Sequence, residues 1–350
     1  MQHLSQSPLD PEFVQNPYPF YDRARAAGPF FFWEEYGMPC ATSFAAVNAM
    51  QRDRRLGREV PLDKRKPIPD HLKPFYAVEA HSMLELEPPR HTRLRSLVLR
   101  AFTSRRIAAL APEIAQLSHQ LIDDFPEGEF DFLKHFGQRL PVIIIARLLG
   151  VPEDMSDDLL RWSNAMVGMY MAGRTRATED RAVAATESFV AFMREYVDAR
   201  RAKPADDLIT HLIAAEEDGE KLTTDELITT CILLLNAGHE ATVHTFGNGL
   251  KTLLETRTPI TAAPIAPLVE EIIRFDPALH MFTRHAYEDI EIMGTTFPKG
   301  TELALLLAAA NRDPGAFDDP NRFNPSRVEK PNTSFGAGLH FCVGAPLARL

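Results

Sequence analysis

Apolar residues recur at helical spacing through most of the middle of the chain. Leu94, Leu97, Val98, Ala101 and Phe102 share one helical face, and the same period predicts helices across Ile107 to Phe125, Leu140 to Leu149, Leu159 to Met171 and Arg181 to Arg200. Pro126-Glu127-Gly128, Pro152, Gly173 and Pro204 separate them. Thr223-Thr224-Asp225-Glu226 reads as a capping box, in which hydroxyl and carboxylate satisfy the first backbone N–H groups of a helix. No proline follows until Pro259, so one helix is predicted from Thr224 to Glu255. At ~1.5 Å per residue it spans about 48 Å, enough to cross a core. Another helix, Leu268 to Phe275, stops at Asp276-Pro277.

Elsewhere the pattern shortens to that of strands. A Pro- and aromatic-rich opening and a short helix from Asp22 to Ala27 lead into two strands, Phe30-Phe31-Phe32-Trp33 and Met38 to Thr42. Three more are predicted at Phe282 to Ala286, Ile290 to Met293 and Glu302 to Leu307, with a turn at Pro298-Lys299-Gly300. Residues 56 to 89 contain Pro61, Pro67, Pro69, Pro74, Pro88 and Pro89 and read as a long loop region, because proline lacks the N–H and clashes with the preceding helical turn. The expected fold is mainly α with a smaller β portion, and no composition break, repeat or linker divides residues 1–350 into separate domains.

Composition is that of an ordinary globular protein, 45% apolar. The net charge of −10 disfavours nucleic acid and anionic membranes as partners. Cys40, Cys231 and Cys342 are too few and too far apart for a disulfide framework or a zinc site. Met1 to Pro8 has neither signal-peptide regions nor a spanning segment, and a cytoplasmic, unanchored protein is expected. Against the acidic total, Pro88 to Pro112 holds six arginines (Arg90, Arg93, Arg95, Arg100, Arg105 and Arg106) and no Asp or Glu.

The chemistry concentrates at Ser334-Phe335-Gly336-Ala337-Gly338-Leu339-His340-Phe341-Cys342-Val343-Gly344-Ala345-Pro346. Gly338 can take positive φ, Gly344 removes a side chain where a helix start approaches something flat, and helix N–H groups favour a thiolate at Cys342. A thiolate suits haem iron as a donating axial ligand. Phe335, Gly338, His340, Cys342 and Gly344 match the signature F-x-x-G-x-[H/R]-x-C-x-G, and the chain resembles the cytochrome P450 family over nearly its whole length. The resemblance implies the cytochrome P450 fold, with the long helix over haem b and Cys342 as the iron's ligand. The soluble bacterial members are the ones it resembles. Family members continue for several tens of residues past the place of Leu350, so the resemblance puts the end of the family domain beyond this chain.

Further motifs occur in family order. In the long helix, Ala237-Gly238-His239-Glu240-Ala241-Thr242 matches [A/G]-G-x-[D/E]-T at Ala237, Gly238 and Glu240. Small residues there let a cofactor plane lie against the helix, and a carboxylate beside them can relay protons. Ala241 stands where the family has an alcohol; Thr242, one residue on, or an ordered water takes that part. Glu271-Ile272-Ile273-Arg274 matches E-x-x-R, and Arg322 in Pro320-Asn321-Arg322-Phe323 is its expected partner supporting the cysteine loop. By resemblance the haem propionates fall to His91, Arg95, Arg284 and His340. The remaining arginines between 90 and 106 have two readings, a solvated helix face or a docking surface for a ferredoxin or flavodoxin. Residues 56–89, Trp162 to Met171, the central helix near Leu234, Ala237 and Gly238, and Leu279 to Phe282 line the substrate site by family position, although core packing explains them equally well.

The implied activity is insertion of one atom of O2 into a small or medium apolar organic substrate, with electrons from a redox partner. Direct use of hydrogen peroxide and a non-enzymatic haem-thiolate sensor are the alternatives.

Overall fold

A strand apolar on both sides needs cover on both faces, and the run from Phe30 to Trp33 has it. In the computed structural model, which describes residues 1–350 apart from 218, 263, 329 and 330, the chain forms two compact units. One comprises Met1–Lys66 with Asn248–Cys342, the other Pro67–Gly247 with Val343–Leu350.

The first unit is built on a six-stranded sheet. Its order is Gln2–Leu4, Phe30–Trp33, Met38–Ala41, Glu302–Leu306, Met281–Ala286 and Leu56–Gly57. Gln2–Leu4 pairs parallel with Phe30–Trp33, Met38–Ala41 pairs parallel with Glu302–Leu306, and the other pairings are antiparallel. Successive side chains point to opposite faces. Phe30, Leu303 and Leu305 therefore pack with Val47 and Met50 of the helix Phe44–Arg52, while Phe31, Trp33, Ala304 and Leu306 pack with Tyr18, Phe20 and Tyr21 of the helix Tyr18–Ala26. A separate hairpin joins Ile290–Ile292 to Thr295–Phe297 through Met293 and Gly294, at φ 49° and 75°. Two positive φ values make the two-residue turn that matches strand twist. The second strand of this hairpin, the edge strands Gln2–Leu4 and Leu56–Gly57, and the helix Phe44–Arg52 were not expected from the sequence.

The second unit is helical. The predicted helices are present with shifted ends. The stretch from Ile107 to Phe125 divides into Ser104–Ala109 and Ala111–Asp123, the α-helix from Ser156 ends at Val167, and the next runs Arg176–Ala202 because the Thr175 hydroxyl accepts from the Thr178 N–H. The proline-rich region also holds a helix, Lys73–Glu79. Pro74 lies in its first turn, where no intrahelical N–H partner is needed. Arg139–Leu149 is buried nearly all round. The long helix runs Thr224–Glu255 as predicted. Thr223 N–H donates to Glu226 Oε2 (2.9 Å), Glu226 N–H donates to Thr223 Oγ1 (3.2 Å), and Arg93 also donates to that carboxylate.

Within the first unit, one buried polar network fixes the segment leading to Cys342. Glu271 and Arg274, both at most 4% exposed, lie one turn apart on the helix Ile265–Phe275 and form two 2.8 Å hydrogen bonds. The third charge comes from Arg327, whose Nε lies 3.3 Å from Glu271 Oε2. Arg322, the residue expected there, is exposed, and only its backbone carbonyl joins in, accepting from Arg327. The turn through Asp319, at φ 49°, directs Arg322 outward and brings Asn324 N–H within 2.8 Å of Glu271 Oε1. Arg274 continues to the Asn311 carbonyl (2.7 Å). The Asn311 side chain in turn accepts from Thr333 N–H (2.8 Å) and donates to Ser334 Oγ (2.8 Å), and Ser334 Oγ donates to the Ile273 carbonyl.

Removing one partner strands a buried charge, so Glu271→Ala or Arg274→Ala should lower unfolding stability by about 3–5 kcal/mol. Asn311→Ala, which orphans the Thr333 N–H, should cost about 1–3 kcal/mol, and Arg322→Ala should stay within about 0.5 kcal/mol. Urea unfolding measures all four, and an Arg322 loss as large as that of Arg327→Ala would return the third charge to Arg322.

Candidate active site

Thr333 is where the network meets the cysteine loop. Gly336 N–H donates to the Thr333 carbonyl (2.9 Å), Phe341 N–H to Gly338 (3.2 Å) and Cys342 N–H to Phe335 (2.9 Å), so the loop closes on its own backbone. Gly336 and Gly338 have φ +69° and +67°, and a Cβ on Gly338 would stand 2.5 Å from the Gln51 carbonyl oxygen. Both the left-handed backbone and the close approach require glycine there. The product is a cysteine unlike the other two. Cys342 is exposed, whereas Cys40 and Cys231 are buried and burial pushes their thiols up to about 12.

Of the other expected residues in this unit, Phe335 and His340 are part-buried within the loop, and His340 closes its short helical turn. Arg284 is 4% exposed on its strand and donates to the Thr283 carbonyl (2.8 Å). In the helical unit, Gly344 caps the helix Ala345–Ala348 and accepts from Ala348 N–H (2.9 Å). There too, His91 is buried in the first turn of Arg90–Ala101 and Arg95 lies one turn on, part-buried.

On the long helix, Ala237 is exposed among buried and part-buried neighbours, and Ala241, four residues on and part-buried, shares its face. Gly238 does not share it. A Cβ there would lie 2.7 Å from Ile145 Cδ1, so the bulk missing at Gly238 is used for packing against Arg139–Leu149 rather than left open for a flat group. The open face is made by the alanines. Thr242 Oγ1 donates to the Gly238 carbonyl (2.7 Å) and Thr245 Oγ1 to Ala241 (2.8 Å), the usual back-bonding of hydroxyls inside helices. Glu240 stands between His239 and His244. Burial holds the His239 imidazole below its ordinary 6.5.

Sequence reasoning missed Asn311, Arg327, Gln51 and the two histidines beside Glu240. Only the histidines left a trace, as neighbours of Glu240 at i−1 and i+4. Within the first unit the donor set fits haem: an exposed thiol on a loop turned by two glycines, and a buried guanidinium, Arg284, of the kind a carboxylate needs as partner.

Comparison with known proteins supports the same reading. Residues 62–260 and 266–350 match the family described as Cytochrome P450. The chain is 35% identical to the polyketide biosynthesis cytochrome P450 PksS of Bacillus subtilis, covering 100% of this chain and 89% of that protein. It is 36% identical to the vitamin D(3) 25-hydroxylase of Pseudonocardia autotrophica, over 97% and 84%. Among solved structures, P450BioI in complex with an acyl carrier protein bearing hexadec-9Z-enoic acid superposes with a TM-score of 0.90 at 34% identity, covering 97% of this chain and 88% of that one.

In native protein prepared without haem, iodoacetamide at pH 8 should alkylate Cys342 and leave Cys40 and Cys231 untouched until denaturant is added. Peptide mass spectrometry reads this directly, and labelling of Cys231 at the rate of Cys342 would contradict the burial described.

Proposed function

Because this chain belongs to the cytochrome P450 family, we propose that Cys342, as thiolate, ligates the iron of haem b in an enzyme that oxygenates a small or medium apolar organic substrate. The class is that of its relatives, cytochrome P450 monooxygenases, which use O2 and a redox partner. The family match runs through both compact units, which supports reading residues 1–350 as parts of one domain. The observation that carries the assignment is the exposed Cys342 on its double-glycine loop, beside two cysteines whose burial keeps them as thiols.

When bound, the haem supplies an oxygen-activating iron whose reactivity the thiolate increases by donating electron density. The loop's task is to hold the Cys342 sulfur in one place, and the Asn311 network restrains the loop's start at Thr333 and Ser334. By the family resemblance Arg284, His340, His91 and Arg95 would pair with the two propionates, and Phe335, Gly338 and Gly344 would shape the backbone around the ring. Ala237 and Ala241 keep one helix face clear. Glu240 holds and passes a proton at its carboxylate. Thr242 has given its own hydrogen to the Gly238 carbonyl, so its oxygen acts as an acceptor. Apolar side chains orient the substrate and exclude water.

Ala241 favours a second reading, direct use of hydrogen peroxide, because no hydroxyl occupies that position; turnover with peroxide alone, set against turnover with a reductase chain, separates the two. The sensor reading is not retained, since the relatives named above include a hydroxylase. No helix among the described residues is long and apolar enough to cross a membrane.

The proposed redox docking surface rests on the exposed part of this arginine run. Arg93 is engaged by Glu220 and Glu226, Arg106 lies 3.9 Å from Asp206, and Arg90 donates to the Ala80 carbonyl. Arg100 and Arg105 are exposed and carry the proposal for a ferredoxin or flavodoxin. Charge attraction between exposed groups accelerates encounter and is screened by salt.

Reduced, CO-bound protein should show the strongly red-shifted Soret band of thiolate ligation, and Cys342→Ala should abolish it. A band at ordinary histidine-haem wavelengths in the unmodified protein would remove the assignment. Reversing Arg100 and Arg105 to Glu should slow reduction by an acidic ferredoxin at low salt, by about tenfold for the pair, with the difference fading as salt rises. Equal rates in stopped-flow reduction would exclude this face.

A further inference from the structure

Glu240 is flanked by two histidines in very different surroundings. Its Oε1 lies 4.0 Å from Nδ1 of His239, whose side chain is 1% exposed, and its Oε2 lies 3.5 Å from Nε2 of His244, whose side chain is 52% exposed. Glu240 itself is 17% exposed. Among the described residues no Lys or Arg approaches this carboxylate within 4.0 Å, and neither ring nitrogen of His239 has a hydrogen-bond partner. The side chains that neighbouring elements set against this stretch are apolar: Ile145 at Gly238, Leu133 at Gly247, and Phe136 edge-on to Phe246. Burial lowers the affinity of His239 for a proton, Glu240 works against this and His244 with it.

The hydroxyls offer no other route to the carboxylate. Thr242 and Thr245 donate to backbone carbonyls of their own helix, and position 241 carries a methyl group. A proton reaching Glu240 from a side chain therefore comes from a histidine, and His244 is the one in contact with water. A separation of 3.5 Å is closed by a small rotamer change or one bridging water.

We infer that His244 is the positioning residue that reloads Glu240 with protons from solvent, while His239 stays buried beside it without a hydrogen bond to the carboxylate. The step balances. Imidazolium His244 gives its Nε2 proton to Glu240 Oε2, is left as neutral imidazole and takes a proton back from water, while the Glu240 carboxyl passes the proton inward. Each monooxygenase turnover consumes O2, two protons and two electrons, places one oxygen atom in product and releases the other as water; the redox partner supplies the electrons. This inference rests on the haem-thiolate reading with Glu240 as proton carrier.

The test uses the haem-loaded full chain with a plant-type ferredoxin, its NADPH-dependent reductase and 7-ethoxycoumarin as probe. His244→Ala should keep the thiolate-type CO band, which tests the underlying reading separately. It should lower the fraction of electrons recovered in product or water, rather than in hydrogen peroxide, by about tenfold. That is less than the ~10²–10⁴ of a direct general acid, because water partly bypasses the relay. The solvent deuterium isotope effect should rise, His244→Lys should recover much of the loss, and His244→Gln should not. In reduced, CO-bound protein, Glu240→Gln should move the His244 ring ¹⁵N resonances. An unchanged electron fraction and isotope effect in His244→Ala would overturn the relay, as would His244 resonances indifferent to Glu240→Gln.

Discussion

A carboxylate and a guanidinium with almost no water around them, Glu271 and Arg274, hold together the part of the chain on which Cys342 depends. Such a pair gains little over an apolar substitute and loses heavily when one member is removed. Its value is geometric. The two side chains also bond to backbone and to Arg327, so the helix Ile265–Phe275, the segment around Pro320–Asn324 and the residue Asn311 are fixed relative to one another. Asn311 passes that constraint to Thr333 and Ser334, and from there the loop closes to Cys342 through its own N–H groups. A ligand sulfur needs positional accuracy more than local strength, and a satisfied buried network supplies it because any displaced group would be left without a partner.

The long helix works under a different constraint. A helix has every backbone group committed, so it meets a reactive centre only through what its side chains leave open or put forward. Here the alanines at 237 and 241 leave a face open, Gly238 is spent on contact with Ile145, and the hydroxyls of Thr242 and Thr245 turn back to their own carbonyls. Glu240 with its two histidines is the group of this stretch able to exchange protons with water.

Electrostatics is likewise redistributed by folding. Six arginines between Pro88 and Pro112 look like one basic face when only the order of residues is considered. Folding assigns Arg93 to the capped start of the long helix, Arg106 to Asp206 and Arg90 to a carbonyl, and it places Arg100 and Arg105 at the exposed surface.

What could be known from residue order alone was whatever depends on neighbours in the chain. The long helix was legible to both of its ends because its start is a capping box and its interior lacks proline; the cysteine loop and Glu271–Arg274 were legible because their spacing is local. Strand pairing across the sheet, Arg327 in place of Arg322, the hub at Asn311, the contact between Gly338 and Gln51, and the use of Gly238 by Ile145 were decided only by the tertiary structure. Each joins residues whose separation along the chain carries no signal, or depends on which way a turn directs a side chain, and such choices are made by packing and by the need of buried polar groups for partners.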